Sequence, residues 1–277
     1  LLSLPITHYA DAPSTTYLDH LFNVVSMVCV TGLSVFPVAS VYNGLGQVIT
    51  MCLMQIGGLG LVTLIAISTY LLRRRMNLSR QSLLQSALSY DNNNDLRHYL
   101  FNAYKITFII ESLVAIILLF DFIPRFGLWH GIFNAIFLAV SAFCNAGFDN
   151  FGDASLKQFV LNPLVNVAIA AAIVSGGIGF AVWMDLKKAI KHFIKDKPYR
   201  FSAFSRSLSN QTRLMLVTTG ILLLLGTALT WLIEFKNAKT IGHYTIFQQI
   251  MVCFFQSVTM RTAGFATISY LDTHSVT

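Results

Sequence analysis

Long apolar runs separated by short polar breaks predict helices of two lengths. Leu45–Leu72, Phe101–Ile123, Pro163–Met184 and Leu214–Ile233 each reach the roughly 20 residues an α-helix needs to cross a hydrocarbon core. Leu21–Val30, His130–Cys144 and Thr245–Met260 are equally apolar but too short to span, which predicts re-entrant half-helices. Polar residues at Asp11, Pro13, Ser14 and Asp19 mark 10–20 as a loop on the outer side, and Ser34–Asn43 with Pro37 as a second connection. Pro163 suits the first position of a helix, where its missing amide hydrogen leaves nothing unpaired. Met76–His98 turns polar and predicts a cytoplasmic loop with room for one short surface helix.

The half-helices end in related sequences. Ser26-Met-Val-Cys29-Val-Thr31-Gly32-Leu33 recurs as Ser141-Ala-Phe-Cys144-Asn-Ala146-Gly147-Phe148, with the same serine-to-glycine spacing. It recurs again, one residue longer, as Ser257-Val-Thr-Met-Arg261-Thr-Ala263-Gly264-Phe265. Gly32, Gly147 and Gly264 lie 115 and 117 residues apart, a period far longer than a solenoid repeat. The unit is helix, half-helix, turn, helix. It divides the chain into a first repeat at 1–75 lacking most of its first helix, a loop at 76–99, a second repeat at 100–186, a basic loop at 187–213, and a third repeat at 214–277 without its closing helix. The same period would put a fourth turn at about position 380 of a longer chain.

One Thr-Gly pair in a membrane helix is more often a packing or kink position than a site. Three at one period, each on a helix too short to span, point to a shared cavity, because non-helical backbone at membrane depth needs protein or water to cover it. A half-helix entering from outside directs its unpaired C-terminal carbonyls and partial negative charge inward, which favours cations. The glycine turn that follows can line a narrow pore with main-chain oxygen in place of an ion's water. A second echo, Gln55-Ile-Gly57-Gly58-Leu-Gly60 and Ser175-Gly176-Gly177-Ile-Gly179, reads as close helix packing in preference to a hinge.

Composition agrees with an integral membrane protein: 55% of residues are hydrophobic and 11% charged. Fourteen of the 19 Lys and Arg residues fall within Arg73–Lys105 and Lys187–Arg213, so the net charge of +7 marks two cytoplasmic segments and not a nucleic-acid surface. The opening Leu1–Pro5 lacks the basic leader of a signal peptide and reads as the tail of a helix. Cys29, Cys52, Cys144 and Cys253 form no C-x-x-C pair and read as buried small hydrophobes. The seven histidines fall in loops or at helix ends without a constellation, and no zinc-protease, nucleophile-elbow or phosphate-loop motif occurs.

Three ionisable residues carry alternatives. Glu111 stands inside an apolar span, where a carboxyl is either functional or, the preferred reading, a hydrogen-bonded group holding helices together. Arg261 beside a cation pathway would repel the ion, so it is expected to turn away and pair with a carboxylate. Asp149, with Asp153, could draw cations to an outer mouth, although loop carboxylates are usually only solvated. A membrane-embedded enzyme, such as an intramembrane hydrolase, would need converging acids, bases or metal ligands, and only Glu111 is on offer.

Taken together, Cys29-Val-Thr-Gly-Leu33, Gln55-Ile-Gly-Gly-Leu-Gly60, Cys144-Asn-Ala-Gly-Phe-Asp149, Gly176-Gly-Ile-Gly-Phe180 and Arg261-Thr-Ala-Gly-Phe265 resemble the Trk/Ktr/HKT superfamily of potassium transporters, nearest the KtrB-type membrane subunits of bacterial Ktr systems. The resemblance covers essentially the whole chain. It implies an all-α polytopic membrane protein of four non-identical M1-P-M2 repeats with re-entrant pore loops around a single pore. Most of the first M1, the third M2 with its gating loop, and the fourth repeat have no counterpart in these residues. By position, the implied filter comprises Val30, Thr31 and Gly32; Asn145, Ala146 and Gly147; and Thr262, Ala263 and Gly264, which would coordinate potassium through main-chain oxygen. Plant relatives with serine at the first filter glycine are sodium-selective, so Gly32 implies potassium; a sodium-permeable transporter of the same superfamily is the alternative. The resemblance further implies a homodimer in the plasma membrane, sodium as an activator, and a cytoplasmic KtrA-like regulatory ring that binds ATP or ADP. It implies no organic cofactor in this chain itself, which has no G-x-G-x-x-G on a strand-turn-helix.

Overall fold

Helices make up the regular structure of the described residues, which are 1–60, 96–195 and 207–274 of this computed structural model. Helix α1, Tyr17–Cys29, begins four residues before the apolar run that predicts it. The cause is local. Thr16 and Asp19, expected in a loop, form a capping box: the Thr16 amide donates to Asp19 Oδ2 at 2.8 Å and the Asp19 amide to Thr16 Oγ1 at 3.4 Å. Helix α2 spans Gly44–Gly58; Leu59 and Gly60, the latter at φ +78°, are not helical, so the helix expected over Leu45–Leu72 is interrupted after Gly58, and the rest of it from residue 61, the Arg73-Arg74-Arg75 cluster and most of the 76–99 loop lie outside the described residues.

Helix α3, Leu96–Phe126, runs two residues past Pro124, where it was expected to stop, and carries an Asp121–Arg125 ion pair of 2.8 Å one turn apart. Helix α4 is Leu128–Phe143, and α5 begins at Pro163 as expected. The predicted span Pro163–Met184 is not one helix. α5 ends at Gly177, and α6, Phe180–Lys195, starts after Gly179, whose φ is +90°. Three glycines in four residues make this the weakest helical stretch of that segment. Helices α7, Asn210–Glu234, and α8, Ile246–Thr262, complete the order; residues 196–206 of the basic loop are not among those described.

By length and composition, Phe101–Phe126 and Asn210–Glu234 can each cross a membrane, and α5 with α6 qualifies only as a broken pair. Large apolar side chains on α7, including Leu214, Val217, Ile221, Leu224 and Leu232, are exposed at helical spacing, as a face toward lipid requires. Cys29 and Cys52, read from sequence as buried, are exposed as well; Cys144 and Cys253 are buried.

The chain forms two compact units. The first comprises Leu1–Gly58, Ile110–Gly177 and Leu222–Thr277; the second comprises Leu59–Ile109 and Ile178–Ile221. Within the second, Lys187 Nζ donates to Asn102 Oδ1 at 3.1 Å and the Ser209 amide to Asp185 Oδ2 at 2.8 Å. Within the first, α2 packs on α1 and on α4, and α5 packs on α4 and on α8. Helix α4 thus lies between α2 and α5, and α5 between α4 and α8, a head-to-tail order. Apolar clusters fill it, a small one of Ile241, Val252, Cys253 and Ile268 beside two larger ones. Leu118, Phe122, Leu138, Ile169, Phe255 and Phe265 belong to one, and Met27, Tyr42, Met54, Phe137 and Ala146 to the other.

Candidate functional site

Helices α1, α4 and α8 each lead into a glycine with positive φ. In α1, Val30 closes the helix in the left-handed region, at φ 56° and ψ 45°, and the Thr31 amide reaches back to the Ser26 carbonyl at 3.0 Å. In α4, Asn145 takes φ 58° and the Ala146 amide reaches the Ser141 carbonyl at 2.8 Å. These six-to-one bonds satisfy carbonyls that a helix end would otherwise leave free. A β-branched valine in that region is strained, and such strain persists where the surroundings over-determine it. Gly32 and Gly147 follow at φ +75° and +72°.

The third end differs. Helix α8 runs on through Thr262, Ala263 is still right-handed, and Gly264 at φ +88° itself donates to the Thr259 carbonyl at 3.0 Å. The third copy therefore differs by more than its one extra residue: it stays right-handed through Ala263 and has no left-handed residue such as Val30 or Asn145 ahead of its glycine.

The three turns meet. A Cβ on Gly32 would stand 2.9 Å from the Ala263 carbonyl oxygen and 3.2 Å from that of Ala146, and a Cβ on Gly147 would overlap the Ala263 carbonyl oxygen. Thr262 Oγ1 donates to Asn145 Oδ1 at 2.7 Å, tying the second turn to the third. Ala146 and Ala263 are buried, whereas Thr31, Thr262 and Gly264 are exposed. All nine predicted filter residues thus lie at three adjoining helix ends, Thr262 still within α8.

The glycine-rich stretches back those turns, which is the close packing expected of them. Gly57 approaches the Val28 carbonyl and the Val30 side chain, and Gly58 abuts Cys144. Gly176 approaches the Phe143 carbonyl, with a built Cβ 2.9 Å from Asn145 Nδ2, and Gly177 faces the Arg261 guanidinium at 4.0 Å. Each pair of glycines touches one turn and then the next, the same head-to-tail order as the helices.

A cavity of about 370 Å³ opens beside the turns, with Gly32, Gly147 and Gly264 in its lining together with Asp149, Ser155 and Phe36. The Asp149 carboxylate accepts from Ser155 Oγ at 2.6 Å and from the Phe151 amide at 2.9 Å. Burial pushes its pKa up, partly offset by those two hydrogen bonds. Asp149→Asn keeps an acceptor for the Phe151 amide and removes the charge. The KM for rubidium uptake by the full-length protein is expected to rise several-fold at low ionic strength and to converge on wild type at high salt. A KM difference independent of salt would refute steering by this charge.

Glu111 is 5% exposed and lies within reach of the Gln55 side chain, and among the described residues its Oε1 has no close hydrogen-bond partner. Among the described residues no carboxylate pairs with Arg261, contrary to expectation; it lies against Gly177 and lines a separate cavity between α7 and α8.

The sequence reading missed one cluster. His8 and His20 stack with ring centroids 4.7 Å apart, and His20 contacts the Tyr42 hydroxyl through Nδ1 and Thr15 Oγ1 through Nε2, both at 2.9 Å. The two histidines stand twelve residues apart, on a loop and on α1, so no periodicity announces the pairing. Burial, and then the neighbouring His8, hold His20 below the usual 6.5, with Asp19 opposing. The neutral ring is the folded form, so its contribution is present above about pH 6.5 and is lost as pH falls through the depressed value. The melting temperature in detergent should drop on acidification below about pH 6.5, and His20→Gln should flatten that slope; an unaltered slope would contradict the assignment.

The chain matches the family of TrkH cation transport proteins over residues 2–277. It is 36% identical over 268 residues to Ktr system potassium uptake protein B of Vibrio alginolyticus, covering 97% of this chain and 56% of the relative. To potassium/sodium uptake protein NtpJ of Enterococcus hirae it is 34% identical over 272 residues, 98% of this chain and 57% of the relative. Ktr system potassium uptake protein B of Bacillus subtilis matches at 33% over 270 residues, 98% of this chain and 57% of the relative. The chain therefore spans little more than half the length of these curated relatives. Matched from residue 2 to its last residue, and carrying its glycine turns in one cluster, the chain belongs to the TrkH family of cation transport proteins, which are transporters and not enzymes.

Proposed function

We propose that the chain forms three walls of a potassium pathway, and that its turns at Val30–Gly32, Asn145–Gly147 and Thr262–Gly264 present main-chain carbonyls to a dehydrated cation. The observation that carries this reading is the convergence of the three turns, with the carbonyl oxygens of Ala146 and Ala263 at contact distance from Gly32. Backbone oxygen held at fixed spacing replaces an ion's hydration shell, and close approach among three turns requires glycine at the contact.

In this reading the repeats at 1–75, 100–186 and 214–277 are M1-P-M2 units. Helices α1, α4 and α8 are their pore helices, with C-terminal ends favouring a cation. The head-to-tail order of packing supports a ring that a further wall of the longer protein would close. The basic segments 76–99 and 187–213 face the cytoplasm of a plasma-membrane protein by the positive-inside rule. The names of the Ktr relatives speak of a system, which supports a further component; in this reading that component is a cytoplasmic nucleotide-binding ring regulating a homodimer, with sodium as activator. A second reading, passage of sodium as well as potassium, is favoured by the similarity to a potassium/sodium uptake protein.

Rubidium uptake by the full-length protein in a cell deficient in potassium uptake tests the proposal. Saturable rubidium entry with rescue of growth at low potassium is expected. Surface-expressed protein without flux or rescue would refute it.

A further inference from the structure

Behind the second turn lies a buried polar group that the carbonyl pathway does not use. Cys144, the residue before Asn145, directs its thiol at Gln55 Oε1 of α2, 3.7 Å away. Among the described residues the other end of that amide, Gln55 Nε2, is buried with no close acceptor and Oε1 of Glu111 with no close donor, while the two side chains lie within looser hydrogen-bonding reach of each other. An amide hydrogen without an acceptor beside a carboxyl oxygen without a donor is a complementary pair, and leaving both unmet in an apolar interior is costly. Glu111 is also within electrostatic reach of the Cys144 sulfur.

The backbone around this group has little freedom. Gly58, three residues after Gln55, would carry a Cβ only 2.5 Å from both Cβ and Sγ of Cys144, so α2 already rests on the base of the second turn. Beyond Cys144 the chain enters its left-handed residue, Asn145, whose side chain accepts from Thr262 of the third turn at 2.7 Å. One line of contacts therefore runs from Glu111 through Gln55 and Cys144 to Asn145 and Thr262, and it reaches two of the three turns.

We propose that Glu111 is a positioning residue for ion selectivity: it orients the Gln55 amide, which braces Cys144 and so fixes the spacing of the second and third turns. The role rests on the reading of those turns as filter walls. A braced turn holds its carbonyls at one spacing; an unbraced one lets them follow a smaller ion, and discrimination falls while conduction persists. The head group acts by hydrogen bonding, so glutamine can replace it and leucine cannot.

The test uses full-length protein, with the potassium-to-sodium permeability ratio from reversal potentials read alongside surface abundance. Glu111→Leu and Gln55→Leu are each expected to lower the ratio about tenfold at unchanged abundance. Their combination should be no worse than either alone, because they act through one contact. Glu111→Gln should stay within about twofold of wild type. A wild-type ratio in either leucine variant that reaches the surface would overturn the proposal, as would a Glu111→Gln as impaired as Glu111→Leu. Gln55→Leu reads the same line of contacts if Glu111→Leu does not fold. A wild type that conducts no cation would instead remove the filter reading itself, and the proposal with it.

Discussion

Gly147→Ala is expected to lower rubidium uptake by on the order of a hundredfold without loss of surface protein. Two independent effects act at this position. Its φ of +72° lies where an L side chain costs roughly 1–2 kcal/mol. The added Cβ would also overlap the Ala263 carbonyl oxygen, a main-chain atom that cannot rotate aside as a flexible side chain would. The third turn must then retreat, and a displacement on the order of 1 Å among groups that have to act together suffices for a loss of that size. Gly220→Ala serves as the comparison. That glycine sits in α7 with nothing within 4 Å of a built Cβ, and alanine there favours the helix. Uptake by Gly147→Ala within a few-fold of Gly220→Ala would contradict the close approach of the second and third turns.

Gly32→Ser is expected to reduce the potassium-to-sodium permeability ratio about tenfold, which is about 1.4 kcal/mol, while leaving flux measurable. Here the crowding is milder. The new Cβ would meet the Ala263 and Ala146 carbonyl oxygens at 2.9 and 3.2 Å, so the neighbours must give by tenths of an ångström and not by a whole atom. The serine hydroxyl adds a donor beside carbonyls that the ion would otherwise use, which weakens their field. Reversal potentials in mixed potassium and sodium solutions measure the ratio, and a ratio equal to wild type would refute the assignment of Gly32 as a selectivity position.

Both predictions depend on glycines that the sequence alone picks out by their near-constant spacing, and their positive-φ turns were legible because glycine at a helix end reports a backbone conformation other residues disfavour. The shortness of α1 and α4 was legible for a similar reason: a spanning helix needs a length that Leu21–Val30 and His130–Cys144 do not have. Their starts were harder to read. Thr16 and Asp19 belong to α1 through a capping box, yet among the loop residues Asp11, Pro13 and Ser14 they look like more of the same polarity. The interruption at Gly179 was masked in the opposite way, because Ile178, Phe180 and Val182 keep the segment apolar across a break in the hydrogen bonding. Hydropathy records the environment of a segment and is silent on whether its backbone is continuous.

Pairings across long separations were the least legible. Nothing in the spacing of Gln55, Glu111 and Cys144 brings them together; the packing of α2 on α4 does, and it does so because Gly58 permits the approach. His8 and His20 meet for a comparable reason, since the loop before α1 folds back over its first turn, with the His8–Tyr42 bridge fixing it from the other side. The expected carboxylate partner of Arg261 came from charge reasoning alone. Its guanidinium instead faces Gly177, in the same place relative to α5 that Cys144 occupies relative to α2. Repetition of architecture thus explains an orientation that pairwise charge did not.

The central claim is that main-chain oxygens of three turns hold the transported cation. Diffraction from crystals of the conducting full-length protein grown in rubidium, recorded at the rubidium absorption edge, tests it most directly. The account predicts anomalous density enclosed by the carbonyls of Val30–Gly32, Asn145–Gly147 and Thr262–Gly264; rubidium held elsewhere by side chains such as Glu111, with none among these turns, would contradict it.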